Sequence, residues 1–141
     1  MRWLTVAAAI LAVGCSAVKP LPITSGERCF RCGRPIDDVK LAGEMVDEGG
    51  HAYKFRTAGC MAKYLAEHPG EHYKGLFVTN HHTGKLIPAD GATFVRVTLS
   101  TASPEKDYMA FGRAEDAGEV AKKEGSPAVR WDQVLASANT P

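Results

Sequence analysis

A pair of cysteines followed by a glycine, in the segment "CFRCG" at 29–33, constrains the fold of this chain more than any other feature. The two-residue spacing lets the sulfurs of Cys29 and Cys32 face one point, and Gly33 lets the backbone turn back toward it. A third cysteine, Cys60, follows 28 residues later in "TAGCMAKYL". A C-x-x-C pair serves as half of a metal site, as a redox pair or as a structural disulfide, so other features of the chain must decide among these.

Cys60 is predicted to lie in the first turn of a helix. Thr57 is suited to be the N-cap of a helix over 58–67, which Pro69 and Gly70 would end. Unpaired backbone N–H groups and the helix dipole favour a thiolate in a first turn. We therefore expect a lowered pKa at Cys60, as suits a soft-metal ligand or a reactive thiol. The alternative is a small buried apolar side chain.

The first 14 residues have the pattern of an export signal. Arg2 precedes an apolar run that is too short to span a bilayer stably. The ending "AVGC" resembles a bacterial lipobox, which predicts cleavage before Cys15 and lipidation of that cysteine, with an ordinary cleaved signal as the alternative. Both interpretations place the mature protein outside the cytoplasm. Lipidation would anchor it to a bacterial membrane, facing the periplasm, through a flexible tether at 15–27.

Lipidation of Cys15 would leave three cysteines, an odd number that cannot pair fully within one chain in an oxidising compartment. One arrangement is a disulfide between Cys60 and either Cys29 or Cys32. In the other, all three cysteines bind a metal. An incomplete thiolate set suits Cu(I), which accepts two or three soft ligands, better than structural Zn(II), which needs a fourth.

Two methionines and two histidines are candidates to complete such a site. Met61 follows Cys60 directly and Met109 lies in "YMAF", although both also suit an apolar core. His81 and His82 occupy the turn "NHHTG", where they are either ligands or solvated polar residues.

The chain has no glycine-rich phosphate loop, serine-nucleophile elbow or paired-carboxylate motif, so we do not expect an enzyme. The net charge of +1 gives no indication of nucleic-acid binding.

Hydrophobic patterning predicts an α+β fold of two small ββαβ units packed together, at 28–79 and 80–141, after the signal and tether. A single α+β sheet is the alternative. Helices are predicted at 58–67 and 114–124, the second ending at Gly125. Strands are predicted at 43–47, 51–55, 75–79, 85–89, 93–100, 108–111 and 128–131, followed by a last helical turn.

Several of these segments together resemble the NosL-type lipoproteins, accessory copper proteins of nitrous oxide reductase. They are the lipobox, "CFRCGRPI", "GHAYKFRTAGCMAKYL" and "VTNHHTGKLIPAD". The first half is also similar to YHS- and TRASH-type metal-binding modules. The resemblance implies a lipid-anchored periplasmic protein with two ββαβ units like part of the organomercurial lyase fold. It further implies Cu(I) held by Cys, Met and His, with the three cysteines and Met61 at the family's positions.

The resulting hypothesis is a membrane-anchored Cu(I) chaperone that delivers copper by ligand exchange to a periplasmic enzyme such as nitrous oxide reductase. A structural zinc or heavy-metal-sensing module is one alternative. A thiol redox protein is another, but Pro35 disfavours a helix immediately after the cysteine pair. Arg34 stands where the family often has methionine, and Glu105 follows Pro104 where the family usually has Pro-Met-Gly.

Overall fold

The structure is a computed structural model that describes residues 17–100 and 104–140. The predicted signal and Cys15 lie outside the described residues. The helices are α1 (Ala58–Glu67), α2 (Ala114–Glu124) and α3 (Trp131–Ala138). The strands are β1 (Gly43–Asp47), β2 (Ala52–Phe55), β3 (Tyr73–Thr79), β4 (Leu86–Pro88), β5 (Thr93–Thr98), β6 (Lys106–Phe111) and β7 (Ala128–Val129).

The two sheets repeat one topology. The first has the order β2-β1-β3-β4 and the second the order β6-β5-β7, with antiparallel pairing throughout. In each sheet a hairpin supplies the central strand, and the strand that follows a helix returns along the other side of that central strand. The prediction of an α+β fold built from ββαβ units is confirmed. The residue bounds of the two units stay a prediction.

Capping residues set the limits of the helices where the sequence predicts them. Thr57 has extended backbone angles, and its side chain accepts a hydrogen bond from the Cys60 N–H at the start of α1. Gly125 ends α2 in the left-handed conformation, at φ 62°. The last helix differs, because Trp131 begins α3 instead of ending a strand. Gln133 accepts from the Arg130 N–H as an N-terminal cap, and the Trp131 ring packs 5.6 Å from Phe94.

The two units share their main core. Phe55 and Met61 from the first unit and Phe94 from the second lie in one buried cluster. A smaller cluster on the other face of β5 and β6 is covered by α2, through Ala117 and its neighbours. An isolated parallel bridge between Asn80 and Ala110 also joins the units. These contacts hold the first unit against the second.

The described part of the predicted tether, 17–27, has no helix or strand but lies against the first sheet. The Leu21 N–H donates to Glu44 Oε1 at 2.7 Å, and Lys54 Nζ donates to the Pro22 carbonyl at 2.7 Å. Within the described residues, no helix combines the length and apolar character needed to cross a bilayer.

Glu44, on the central strand β1, makes stability depend on pH. Burial raises the pKa of this carboxyl above its ordinary value, despite the Leu21 N–H and the nearby Lys54. Because the folded state holds the proton more tightly than the unfolded state, the raised pKa stabilises the fold. This stabilisation is at its full size below the ordinary glutamate pKa of about 4.3, and it is lost as the pH rises through the pKa of the folded state. We therefore expect urea unfolding to give a lower free energy of unfolding at pH 8 than at pH 5. The decrease should be smaller in Glu44→Gln, and an equal decrease in both proteins would exclude Glu44 as its source.

Candidate metal centre

Backbone hydrogen bonds fold residues 28–35 into a tight cysteine turn. The Cys29 N–H donates to the Arg34 carbonyl at 2.9 Å, and the Gly33 N–H donates back to the Cys29 carbonyl at 2.9 Å. Gly33 has φ 70°, a left-handed conformation that costs a glycine little. A bridge between Arg28 and Pro35 closes the turn. The C-x-x-C pair therefore lies in a turn and does not begin a helix.

The turn brings its two thiols to the first turn of α1, where they meet Cys60. The Sγ atoms of all three cysteines lie within 4.8 Å of one another, and this is the single group of three or more Cys, His, Asp or Glu ligand atoms in the described chain. Cys29 Sγ and Cys60 Sγ are 3.4 Å apart. The three thiols are free, without a disulfide. The site therefore offers three convergent sulfur ligands, the chemistry that soft metals such as Cu(I) prefer.

The three thiols differ in their access to solvent. Cys29 and Cys60 are 2% and 8% exposed, whereas Cys32 is on the surface. Two sulfurs thus form the floor of the site and the third lies at its opening. An incoming ligand has to reach the site from the side of Cys32.

The pKa of the buried Cys60 thiol shifts in the direction opposite to the sequence expectation. Burial raises the pKa of the Cys60 thiol, and the adjacent Cys29 and Cys32 sulfurs raise it further, although Arg31 opposes them. Burial also acts to raise the pKa of Cys29, but backbone N–H groups of Cys32 and Arg56 bond its sulfur and leave that pKa below its ordinary value. The expected lowered pKa at Cys60 is therefore wrong, and Cys29 is the more acidic thiol.

The N-terminus of α1 does little to offset this rise in the pKa of Cys60. The Gly59 N–H donates to Asp107 Oδ1 at 2.9 Å, and the Cys60 N–H donates to Thr57 Oγ1 at 3.0 Å. Thr57 Oγ1 in turn donates to Asp107 Oδ2 at 2.6 Å. These N–H groups are therefore engaged and not left free to stabilise a thiolate. Sequence reasoning does not single out Asp107, because a lone acidic residue in a short strand carries no local signal of this contact.

Arginines from the turn and from the end of β2 surround the thiols. Arg31 lies between the two cysteines of the turn, pairs with Glu67 and acts to lower the pKa of the Cys60 thiol. Arg56 Nη2 donates to Glu105 Oε1 at 2.8 Å, and Arg34 Nη1 lies 3.5 Å from Glu105 Oε2. Positive charge beside the sulfurs favours their ionised form, which binds metals.

The four other predicted ligands lie in different surroundings. Met61 is fully buried in the main core. Met109 is half-buried against the smaller core. His81 is half-buried 6.0 Å from the Phe111 ring, with a buried Nδ1 that has no hydrogen-bond partner among the described residues. His82 is exposed, and neither histidine belongs to the three-thiol group. Their roles as ligands stay predictions.

A thiolate titration of the reduced, metal-free protein tests the order of ionisation. We expect the ultraviolet thiolate absorbance to begin rising below the ordinary cysteine pKa of about 8.5, because Cys29 ionises early. Cys29→Ser should remove this early step, and Cys60→Ser should remove a step at higher pH. Loss of the early step in Cys60→Ser alone would reverse the assignment.

A solved structure shares this fold. The chain is similar to the copper chaperone NosL from Shewanella denitrificans, with a TM-score of 0.66 and 20% sequence identity over 82% of this chain and 94% of the other. No protein-family model matches the chain, and no curated protein is significantly similar to it in sequence. At 20% identity the likeness establishes the fold, and the predicted resemblance to NosL-type proteins is confirmed at that level.

Proposed function

From this fold and the three-thiol cluster, we propose that the protein binds Cu(I) and passes it to another protein as a copper chaperone. The observation that carries the proposal is the convergence of three free sulfurs, two of them buried and one at the surface. The structural likeness to a copper chaperone supports the same conclusion.

The composition of the site favours Cu(I) over Zn(II). The described chain supplies three sulfurs to the cluster and no histidine or carboxylate beside them. Structural Zn(II) sites have four protein ligands, whereas Cu(I) is stable with two or three thiolates. Cys29 Sγ and Cys60 Sγ form the buried pair of candidate ligands.

Ligand exchange would release the metal at the surface. A thiol of the acceptor would coordinate Cu(I) beside Cys32, after which the sulfurs of this chain would leave one at a time. A site with two or three ligands has room for the added sulfur, so copper need not dissociate into water. The acceptor thiol would lose its proton as it binds Cu(I), and each sulfur of this chain would be free to take up a proton as it leaves. Only metal–sulfur and sulfur–hydrogen bonds would change and copper would stay Cu(I), as expected of a carrier that is not an enzyme.

The cellular setting belongs to the same proposal. We propose a lipid anchor at Cys15, a location outside the cytoplasm facing the periplasm, and a client copper enzyme such as nitrous oxide reductase. The support is the lipobox-like "AVGC" and the segments that resemble NosL-type lipoproteins. Incorporation of labelled fatty acid into the native protein, and its loss in Cys15→Ser, tests the anchor.

Metal titration tests the central claim. The reduced protein is titrated anaerobically with Cu(I) in competition with a chromogenic Cu(I) chelator, and separately with Zn(II). We expect one tightly bound Cu(I) per chain, with Zn(II) unable to displace it. Tight binding of Zn(II), together with unfolding of the protein by a zinc chelator, would instead support a structural zinc module.

The thiol geometry also favours a second candidate function, a reversible disulfide. Cys32 is the exposed thiol, so glutathione disulfide would form a mixed disulfide there and release one glutathione. The sulfur of Cys29, whose pKa is lowered, lies within 4.8 Å of Cys32 Sγ, so its thiolate could attack that mixed disulfide, form a Cys29–Cys32 disulfide and release the second glutathione. Thiol counting after equilibration with glutathione redox buffers decides between the two functions. If two thiols are oxidised together when the buffer is set to the redox potential of the glutathione pool, the result would support a redox role.

A further inference from the structure

The surface through which copper would leave is rich in arginine and carries an exposed aromatic side chain. Cys32 is the exposed thiol of the cluster, so an acceptor must approach the turn that carries it. We call this surface the Cys32 face and define it by Phe30, Cys32 and the arginines that surround the thiols, Arg28, Arg31, Arg34 and Arg56. Any role of this face in copper transfer rests on the proposed function, because it concerns the partner that takes the metal.

The Cys32 face carries excess positive charge. Three of its four arginines form ion pairs with two carboxylates, those of Glu67 and Glu105, and the buried Asp107 carboxylate also acts on Arg56. Arg28 is exposed, and its guanidinium donates to the uncharged Gly33 carbonyl at 2.8 Å. The four arginines still outnumber these carboxylates, although positive and negative side chains nearly balance over the whole chain. The positive charge is therefore concentrated around the thiols.

An exposed aromatic side chain lies in the same face. Phe30 is 49% exposed, although it directly follows the buried Cys29. Its ring lies 4.6 Å from that of Tyr53 and 5.3 Å from that of Tyr64, with Phe55 beneath at 6.1 Å. Packing on three rings fixes its orientation, so little side-chain entropy is lost when a partner covers it. Rigid aromatic and arginine side chains are typical anchors of protein interfaces.

We propose that the Cys32 face docks a partner protein whose own acceptor thiol is surrounded by acidic side chains. Carboxylates of the partner would pair with Arg28 and Arg34, and an apolar group would cover Phe30. The charges would orient the two proteins so that the acceptor thiol meets Cys32. Because charge complementarity acts mainly on the rate of association, it should show in transfer kinetics more than in copper affinity.

Copper transfer to designed peptides tests this directly. Three peptides share one two-cysteine acceptor sequence, flanked by four glutamates, four lysines or four serines. Stopped-flow mixing with the Cu(I)-loaded protein measures transfer at about 0.02 M and about 0.5 M salt. At low salt we expect the acidic peptide to accept copper about tenfold faster than the serine peptide, and the basic peptide more slowly. High salt should bring the three rates together.

Substitutions then locate the effect. Arg28→Gln with Arg34→Gln should remove most of the preference for the acidic peptide, and Phe30→Ser should weaken binding of every peptide by about tenfold. The matched control is Lys19→Gln with Lys74→Gln, which removes the same charge at the opposite end of β1, where Val18 lies beside Gly75. This control should keep the full preference.

Each outcome has a distinct meaning. Failure to bind Cu(I) at all would refute the proposed function and leave no transfer to measure. Normal Cu(I) affinity with equal rates for all three peptides would overturn the docking proposal while leaving the chaperone proposal in place. Transfer to glutathione as fast, per thiol, as to the acidic peptide would also overturn it, because the face would then serve a small anionic thiol.

Discussion

Replacing Cys29 or Cys60 with serine should weaken Cu(I) binding by about 100-fold or more, beyond the tenfold to hundredfold typical of residues that only support a ligand. Each substitution removes one of the two buried sulfurs, which lie 3.4 Å apart. Cys32→Ser should cost less, about tenfold, because two buried thiolates still satisfy Cu(I). Competition with a chromogenic chelator under anaerobic conditions measures all three affinities.

The control for this series is Thr98→Ser, an equally small change at an exposed position of β5. Its affinity should equal that of the parent protein. Circular dichroism should show that the cysteine variants keep the fold in the absence of metal. If all three cysteine variants bind copper as tightly as the parent, the three-thiol cluster is not the site, and the copper proposal fails.

Asp107→Ala should lower the free energy of unfolding by about 2–5 kcal/mol, one of the largest losses expected from a single substitution here. The buried carboxylate accepts from the Gly59 N–H and the Thr57 hydroxyl, and its removal leaves both donors unpaired in a dry environment. Asp107→Asn keeps the oxygen that faces Gly59, so it should lose less. Urea unfolding measures both, with Asp37→Ala at an exposed position as the control.

Gly59 gives an independent test of the same contact. A methyl group at Gly59 would overlap the carboxylate of Asp107, so Gly59→Ala should also destabilise the protein, despite the higher helix propensity of alanine. In Asp107→Ala the obstruction is gone, and adding Gly59→Ala should then cost little. A double-mutant cycle measures this coupling. Additive losses would mean that the two residues do not interact as described.

Local signals made much of the fold predictable. The limits of α1 follow from the Thr57 side chain at one end and the Pro69–Gly70 pair beyond the other. Gly125 adopts the left-handed conformation and ends α2 at the position predicted from the sequence. Trp131 is the exception, because an apolar aromatic residue suits a strand or a helix equally well. Packing on Phe94, a contact distant in sequence, favours the helix.

The candidate site was predictable only in part. The spacing of Cys29, Cys32 and Cys60 was enough to expect three sulfurs near one point, because the turn and the helix start are local structures. The direction of the Cys60 pKa shift was not predictable, since it depends on burial and on the charge state of Cys29. Asp107 and Glu105 act on the site from the other unit, and no short-range pattern reveals a contact across 48 residues.

The contact between Asp107 and Gly59 has a consequence for modularity. The three cysteines of the cluster all precede β3, so the first ββαβ unit contains the whole thiol cluster and resembles a metal-binding module that would work by itself. However, the first turn of α1, the helix that carries Cys60, is hydrogen-bonded to Asp107 in β6 of the other unit. Arg34 and Arg56 both pair with Glu105, the residue directly before β6. Excised alone, the first unit would keep all three thiols of the cluster and lose the contact that holds the first turn of α1 in position. The second ββαβ unit contains no cysteine, yet its contacts hold the cysteine-bearing unit in position.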